Sequence, residues 1–192
     1  MSLSRLAPFV ARPPADPGAS FRACHERIRM FTAGLQRIAA LPDLSDPRVP
    51  SAAAQARRYF AEGLPLHADD EDLSLAPRLR AVAPECGPLL DELERDHRKI
   101  DACLATLLPM LGTLAEEGRV PHATFRAAVS FLSGLLLPHI AREEDELFPL
   151  CARLSSEDRL AIASELVARR TPHAGTPHAG TPQAGTPQAG RA

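Results

Sequence analysis

The chain has 192 residues, 45% of them hydrophobic, and a formal net charge of −2 with histidine neutral. That length suits one domain with tails, and the balanced charge offers no basic surface for nucleic acid or an anionic membrane. With aromatics at 4%, no Trp, one Tyr and abundant Ala and Leu, the composition favours helices over sheets.

Residues 1–20 contain Pro8, Pro13, Pro14 and Pro17 and are expected to form an irregular extension. Arg5 and Arg12 precede no sustained apolar run, so no secretory signal is expected. The first helix is predicted from about Ala19 to Ala40, with Phe21, Cys24, Ile28, Phe31, Leu35 and Ile38 as its apolar stripe. Pro42, Pro47 and Pro50 mark a connector. A second helix is predicted from near Ser51 to about Ala83, with a kink just before His67 where Gly63 and Pro65 weaken it.

After a break at Pro84 to Pro88, a third helix is predicted to Glu117, bent at Pro109 and stopped by Gly118. The fourth opens after Pro121 and runs past Glu143 toward Leu154, and His122 at its start is expected to be exposed. Prolines precede both His67 and His139, as Leu-Pro-Leu-His and Leu-Leu-Pro-His, and either shape a common site or reflect drift. A short fifth helix should start at Ser155, with Ser155 and Asp158 as a capping box, and end near Arg170. Residues 171–192 repeat Thr-Pro-His-Ala-Gly and Thr-Pro-Gln-Ala-Gly, a low-complexity tail expected to be disordered.

The apolar stretch from Val129 to Leu137 is interrupted by Ser130, Ser133 and Gly134 and is read as too short to span a bilayer. Cys24, Cys86, Cys103 and Cys151 show no C-x-x-C spacing; in a cytoplasmic protein they are expected to be free thiols, packed as small hydrophobes.

A shift of 72 residues superimposes one half of the chain on the other. His25 maps to His97, His67 to His139 and Glu71 to Glu143, with 67 − 25 = 42 and 139 − 97 = 42. Ile28, Leu35, Leu75 and Pro77 land on Ile100, Leu107, Leu147 and Pro149. Residues four apart share a helix face, so each His-x-x-x-Glu presents an imidazole and a carboxylate to one point. The first and third helices add one His each. Four imidazoles and two carboxylates suit two metal ions in a four-helix bundle, each with two His and both Glu bridging. That donor set fits iron, manganese or zinc and argues against calcium or magnesium. Six ligands for two ions leave positions open for a small molecule.

Asp101, one turn past His97, is an extra ligand, a hydrogen-bond partner of a ligand or a plain surface carboxylate. Tyr59 is expected to pack in the core, with a hydroxyl near the metals as the alternative. Glu144 and Asp72 are expected to face solvent, and His173 and His178 lie in the tail.

The segments Cys-His-Glu-Arg-Ile at 24–28, His-Ala-Asp-Asp-Glu-Asp at 67–72, Asp-His-Arg-Lys-Ile at 96–100 and His-Ile-Ala-Arg-Glu-Glu-Asp-Glu-Leu-Phe-Pro at 139–149 resemble the hemerythrin-like (HHE) cation-binding domain. The likeness covers about residues 21–170. It implies an all-α, up-down-up-down four-helix bundle around a non-haem di-iron centre, with His25, His67, Glu71, His97, His139 and Glu143 as metal ligands. Asp101 stands where oxygen-carrying hemerythrins have a further His, and Glu143 replaces an Asp at longer spacing. The symmetric pattern is closer to bacterial members linked to nitric oxide handling and iron–sulfur repair.

The expected function is therefore binding or sensing of O2, nitric oxide or peroxide at two iron ions. A di-iron oxidoreductase reducing peroxide or nitric oxide and an iron storage or delivery protein are the alternatives. No nucleic acid or membrane partner is expected, and no protein partner is identified.

Overall fold

A computed structural model of the chain describes residues 16–171. The expectations for residues 1–15 and for the tail from 172, with His173 and His178, lie outside the described residues. Among the described residues there is no strand. Helix α1 (Pro17–Ala39) starts two residues before the expected Ala19. The Asp16 carboxylate accepts from the Gly18 N–H at 3.0 Å, and Pro17 needs no donor in a first turn.

Helix α2 occupies residues 49–82 as three α segments, Val49–Arg58, Leu64–Asp70 and Ala76–Val82, joined by wide π turns at Tyr59–Gly63 and Glu71–Leu75. A short 3-10 turn, Pro84–Cys86, leads into α3 (Gly87–Glu117). Gly118 ends α3 at φ 68°, a left-handed conformation that costs a residue without Cβ little. Helix α4 (His122–Arg153) includes a third π turn, Glu143–Leu147, and finishes as a 3-10 segment, Phe148–Arg153. Helix α5 (Ser156–Arg170) starts on the expected cap, with Ser155 Oγ accepting from the Asp158 N–H at 3.0 Å.

All three wide turns end two residues before a proline. The amides of Leu64, Ala76 and Phe148 reach back five residues, to Tyr59, Glu71 and Glu143, and Pro65, Pro77 and Pro149 come next. A proline has no N–H for the ladder, and its ring crowds the carbonyl four residues back. One extra residue in the preceding turn relieves both problems. The matched pair of turns is the one that starts at Glu71 and Glu143 and ends ahead of Pro77 and Pro149. Pro138 instead sits inside a regular α segment, so the prolines ahead of His67 and His139 are not structural equivalents. Pro109 likewise lies inside the unbroken α3.

Helices α1 to α4 form the bundle: each packs on the next, and α1 closes on α4. Its interior holds two apolar clusters. One contains Ile28, Leu35, Phe60, Leu64, Ile100, Leu107, Leu132, Leu136 and Ile140. The other contains Phe21, Leu75, Leu79, Leu90, Leu93, Leu147 and Phe148. Every bundle helix passes from one cluster to the other, and each carries its His, or His and Glu, at the crossing. Packed apolar layers on both sides fix the depth of those polar side chains.

The helix His122–Arg153 is long and apolar enough to cross a membrane by length and composition, contrary to the reading of residues 129–137 as too short. Its apolarity has another use here, because Phe125, Val129, Leu132, Leu136 and Ile140 are buried in the bundle. His122 is half-buried rather than exposed; its Nε2 donates to the Ala39 carbonyl at 3.2 Å, satisfying an end group of α1. Of the four free cysteines, Cys86, Cys103 and Cys151 are buried and Cys24 is half-buried.

Helix α5 lies outside the duplication and clamps α2. Arg78 pairs with Glu165 at 2.7 Å. Arg169 bonds the buried Asp70 at 2.5 Å, and Arg170 bonds its other oxygen. Asp70 directly precedes Glu71, so this clamp braces the helix that carries two of the central polar groups.

Candidate metal centre

The structure brings all six predicted side chains to one place. His25 comes from α1, His67 and Glu71 from α2, His97 from α3, and His139 and Glu143 from α4. None is more than 9% exposed. Glu71 lies with Oε1 3.5 Å from His67 Nε2 and 3.8 Å from His25 Nε2, and Oε2 3.4 Å from His97 Nε2. Glu143 lies with Oε1 2.9 Å from His139 Nε2 and 3.9 Å from His97 Nε2, and Oε2 3.1 Å from His25 Nε2. Each carboxylate thus faces imidazoles from three helices.

The donors fall into two overlapping groups, His25–His67–Glu71–Glu143 and Glu71–His97–His139–Glu143, whose atoms within each group lie within 4.8 Å of one another. Glu71 and Glu143 belong to both, the arrangement a pair of bridged cations requires.

Hydrogen bonding tests whether such cations fit. Nine buried side-chain nitrogen and oxygen atoms among the described residues have no hydrogen-bond partner, and eight of them belong to these six residues. The ninth is Thr32 Oγ1. Buried polar atoms are seldom left unpartnered, because each forfeits its solvation. Six of the eight, Nε2 of His25, His67 and His97, both Glu71 oxygens and Glu143 Oε2, face one another at the centre and fit coordination to metal ions. Nδ1 of His67 and of His139 instead lies on the outer edge of a ring whose Nε2 faces a carboxylate.

Outside this ring stand two further carboxylates that were expected to face solvent. Glu144 Oε1 is 2.9 Å from His25 Nδ1, and Asp72 Oδ2 is 3.1 Å from His97 Nδ1. Each orients a ring so that Nε2 faces the centre, the usual support for a metal-bound imidazole. The clue was present in the sequence, since 72 + 72 = 144 places these residues under the same shift as the histidines. Their position immediately after Glu71 and Glu143 turns them about 100° away from the centre, but from that flank they reach across to a neighbouring helix.

The charges are strongly coupled. Burial alone would lower the His25 pKa, but Glu143 and Glu71 outweigh it and hold the ring up at about 9. Burial likewise opposes protonation of His97, and Asp72 with Glu71 carries it to about 10. His67, enclosed more completely, is pushed down by burial. Burial would raise the Glu71 carboxyl, yet the surrounding imidazoles hold it well below the usual carboxylate range.

The duplication breaks beside this ring at Arg29. Arg29 forks Glu144, with Nη1–Oε1 at 2.9 Å and Nη2–Oε2 at 2.7 Å, and it holds the Glu144 carboxyl below its ordinary range. Since 29 + 72 = 101, its counterpart is Asp101, which cannot repeat that fork on Asp72. Asp101 is exposed and belongs to neither donor group. Tyr59 stacks on Phe31, ring centroids 4.1 Å apart, and joins the apolar cluster. Core packing is therefore its observed role.

Beside the centre lies a cavity of about 20 Å³, lined by His67, His97 and His139 with Ile28, Leu64, Pro65, Ala68, Ile100, Asp101, Leu136 and Ile140. That is room for about one water-sized molecule.

Comparison with known proteins agrees with the geometry. Residues 16–151 match the hemerythrin HHE cation binding domain. The chain belongs to that hemerythrin family. The matched segment contains all six central residues and both supporting carboxylates of this hemerythrin-like domain. An uncharacterized protein of Haemophilus influenzae is 31% identical over 109 residues, which cover 54% of this chain and 62% of the relative. The match thus spans less than two thirds of that relative's length.

Proposed function

We propose that the hemerythrin-like centre holds two iron ions and binds or senses a small oxidant such as O2, nitric oxide or peroxide. His25 and His67 would hold one ion and His97 and His139 the other, with Glu71 and Glu143 shared between them. The supporting observation is the cluster of six buried, unpartnered nitrogen and oxygen atoms that face one another at the centre: Nε2 of His25, His67 and His97, both Glu71 oxygens and Glu143 Oε2. Iron bound there supplies redox chemistry and open coordination positions, since six protein groups cannot fill the coordination spheres of two ions. Glu144 and Asp72 keep Nε2 of His25 and His97 turned inward, and the apolar clusters on either side exclude bulk water. The adjacent cavity favours a molecule of one or two heavy atoms over a larger substrate.

The test is an optical spectrum of iron-loaded protein taken before and after O2 and nitric oxide. A reversible spectral change without turnover supports binding or sensing. Steady consumption of peroxide or nitric oxide with a reductant would assign an oxidoreductase instead. Rapid loss of iron to chelators or to metal-free acceptor proteins would assign a delivery protein.

A further inference from the structure

We infer that the two metal positions are functionally unequal. The small molecule reaches the His97–His139 position through the side of the cavity where Pro65, Ala68 and Asp101 approach solvent, and Asp101 disfavours anions there. This rests on the proposal that the centre binds metal and an exogenous ligand. The six central residues are symmetric under the 72-residue shift, so the inequality has to come from what surrounds them.

Three observations agree on the direction. The cavity is lined by both His97 and His139 but, on the other side, by His67 alone. His97 is the most exposed of the six, whereas His25 is 0% exposed. Beyond His25, the Glu144 carboxylate is covered by Arg29. Beyond His97, Asp72 is more exposed than Glu144 and has no arginine at the equivalent place.

Two departures from the duplication meet at the mouth. Asp101 replaces the covering Arg29 with an exposed carboxylate. Ala68 stands where the other half has Ile140, since 68 + 72 = 140, and is half-buried while Ile140 is fully buried. A methyl in place of a branched butyl group thins the wall between cavity and solvent. The remaining wall is apolar, with the exposed Pro65 beside the opening and Ile28, Leu64, Ile100, Leu136 and Ile140 behind it, and solvates an anion poorly. A carboxylate at the opening repels anions further. The pathway therefore suits neutral diatomics and hydrogen peroxide better than azide, nitrite or superoxide.

The experiment uses iron-loaded full-length protein, with nitric oxide as the neutral probe and azide as the anionic one, both followed by stopped-flow absorbance. Asp101→Asn should speed azide binding by about threefold to tenfold at low salt, lose that advantage at high salt and leave the nitric oxide rate within about twofold. Ala68→Ile, which restores the residue type of the other half, should slow both probes by about tenfold or more, with iron content unchanged. Asp72→Asn should shift the N–O stretching frequency of bound nitric oxide more than Glu144→Gln does, because Asp72 supports His97. Unchanged probe rates in both Asp101→Asn and Ala68→Ile, at normal iron content, would overturn the route. A larger frequency shift from Glu144→Gln would overturn the choice of position. Wild-type protein that takes up no iron would overturn the functional reading beneath both, and iron assay separates that outcome from the other two.

Discussion

The two halves of the bundle differ less at the centre than one residue outside it. At the centre, His25, His67 and Glu71 repeat as His97, His139 and Glu143, and even the wide turns after the glutamates recur ahead of Pro77 and Pro149. One contact further out, Arg29 covers Glu144 on one side while Asp101 leaves Asp72 uncovered on the other. If the proposed pair of cations is held there, duplication constrains the donors they would share, because neither half could supply a bridged pair alone. It does not constrain the shell that decides solvent access.

The largest effect should come from the shared carboxylates. Replacing Glu71 or Glu143 by Ala removes a group common to both donor sets, so each variant should fall from about two metals per chain to less than one by elemental analysis. Retention of full metal content in both variants would mean that the carboxylates do not bridge.

A core substitution separates the site from its scaffold. Leu107→Ala, fully buried in the cluster on the Ile28 side, should cost about 2–5 kcal/mol in denaturant unfolding of the metal-free protein. Metal stoichiometry should be unaffected, and its loss would show that the centre has no tolerance for a looser core.

Changes in the supporting pair test the contacts one step outside the donors. Glu144→Gln and Asp72→Asn should each weaken metal affinity by about 10–100-fold, as measured by competition with a chromophoric chelator. No change in either would leave those hydrogen bonds without a role.

Protons report the same coupling. In metal-free protein His25 and His97 have raised pKa values, about 9 and about 10, so their protonated forms are favoured by folding. The sign is that this stabilisation is fully present below the unfolded value of about 6.5 and is lost as pH rises through 9 and 10. Coordination needs neutral rings, so loading near pH 7 should release about two protons, and metal affinity should fall on acidification. Calorimetry in buffers of different ionisation enthalpy measures the number; zero release would contradict the cluster's charge state. Smallest of all, Ser155→Ala should remove the cap of α5 and lower stability by about 1 kcal/mol in thermal unfolding, with metal content unchanged.

The centre was legible in the sequence because His, His and Glu recur at one offset, and the helices because Leu, Ile and Phe recur at threes and fours. Asp72 and Glu144 carry the same offset, but on an isolated helix they point away from Glu71 and Glu143's partners. Their bonds to His25 and His97 exist only once other helices pack alongside. The wide turns were half visible: the Pro77–Pro149 repeat marked them, while the prolines before His67 and His139 drew attention to a pair that does not match. Asp101 could be placed one turn past His97, yet its position at a cavity mouth depends on Pro65 and Ala68 from another helix.

Metal analysis tests the centre most directly. Protein purified anaerobically and supplied with ferrous iron should retain about two irons per chain after desalting. A chain that retained none, with its fold intact by circular dichroism, would contradict the assignment of the inward-facing unpartnered atoms to metal.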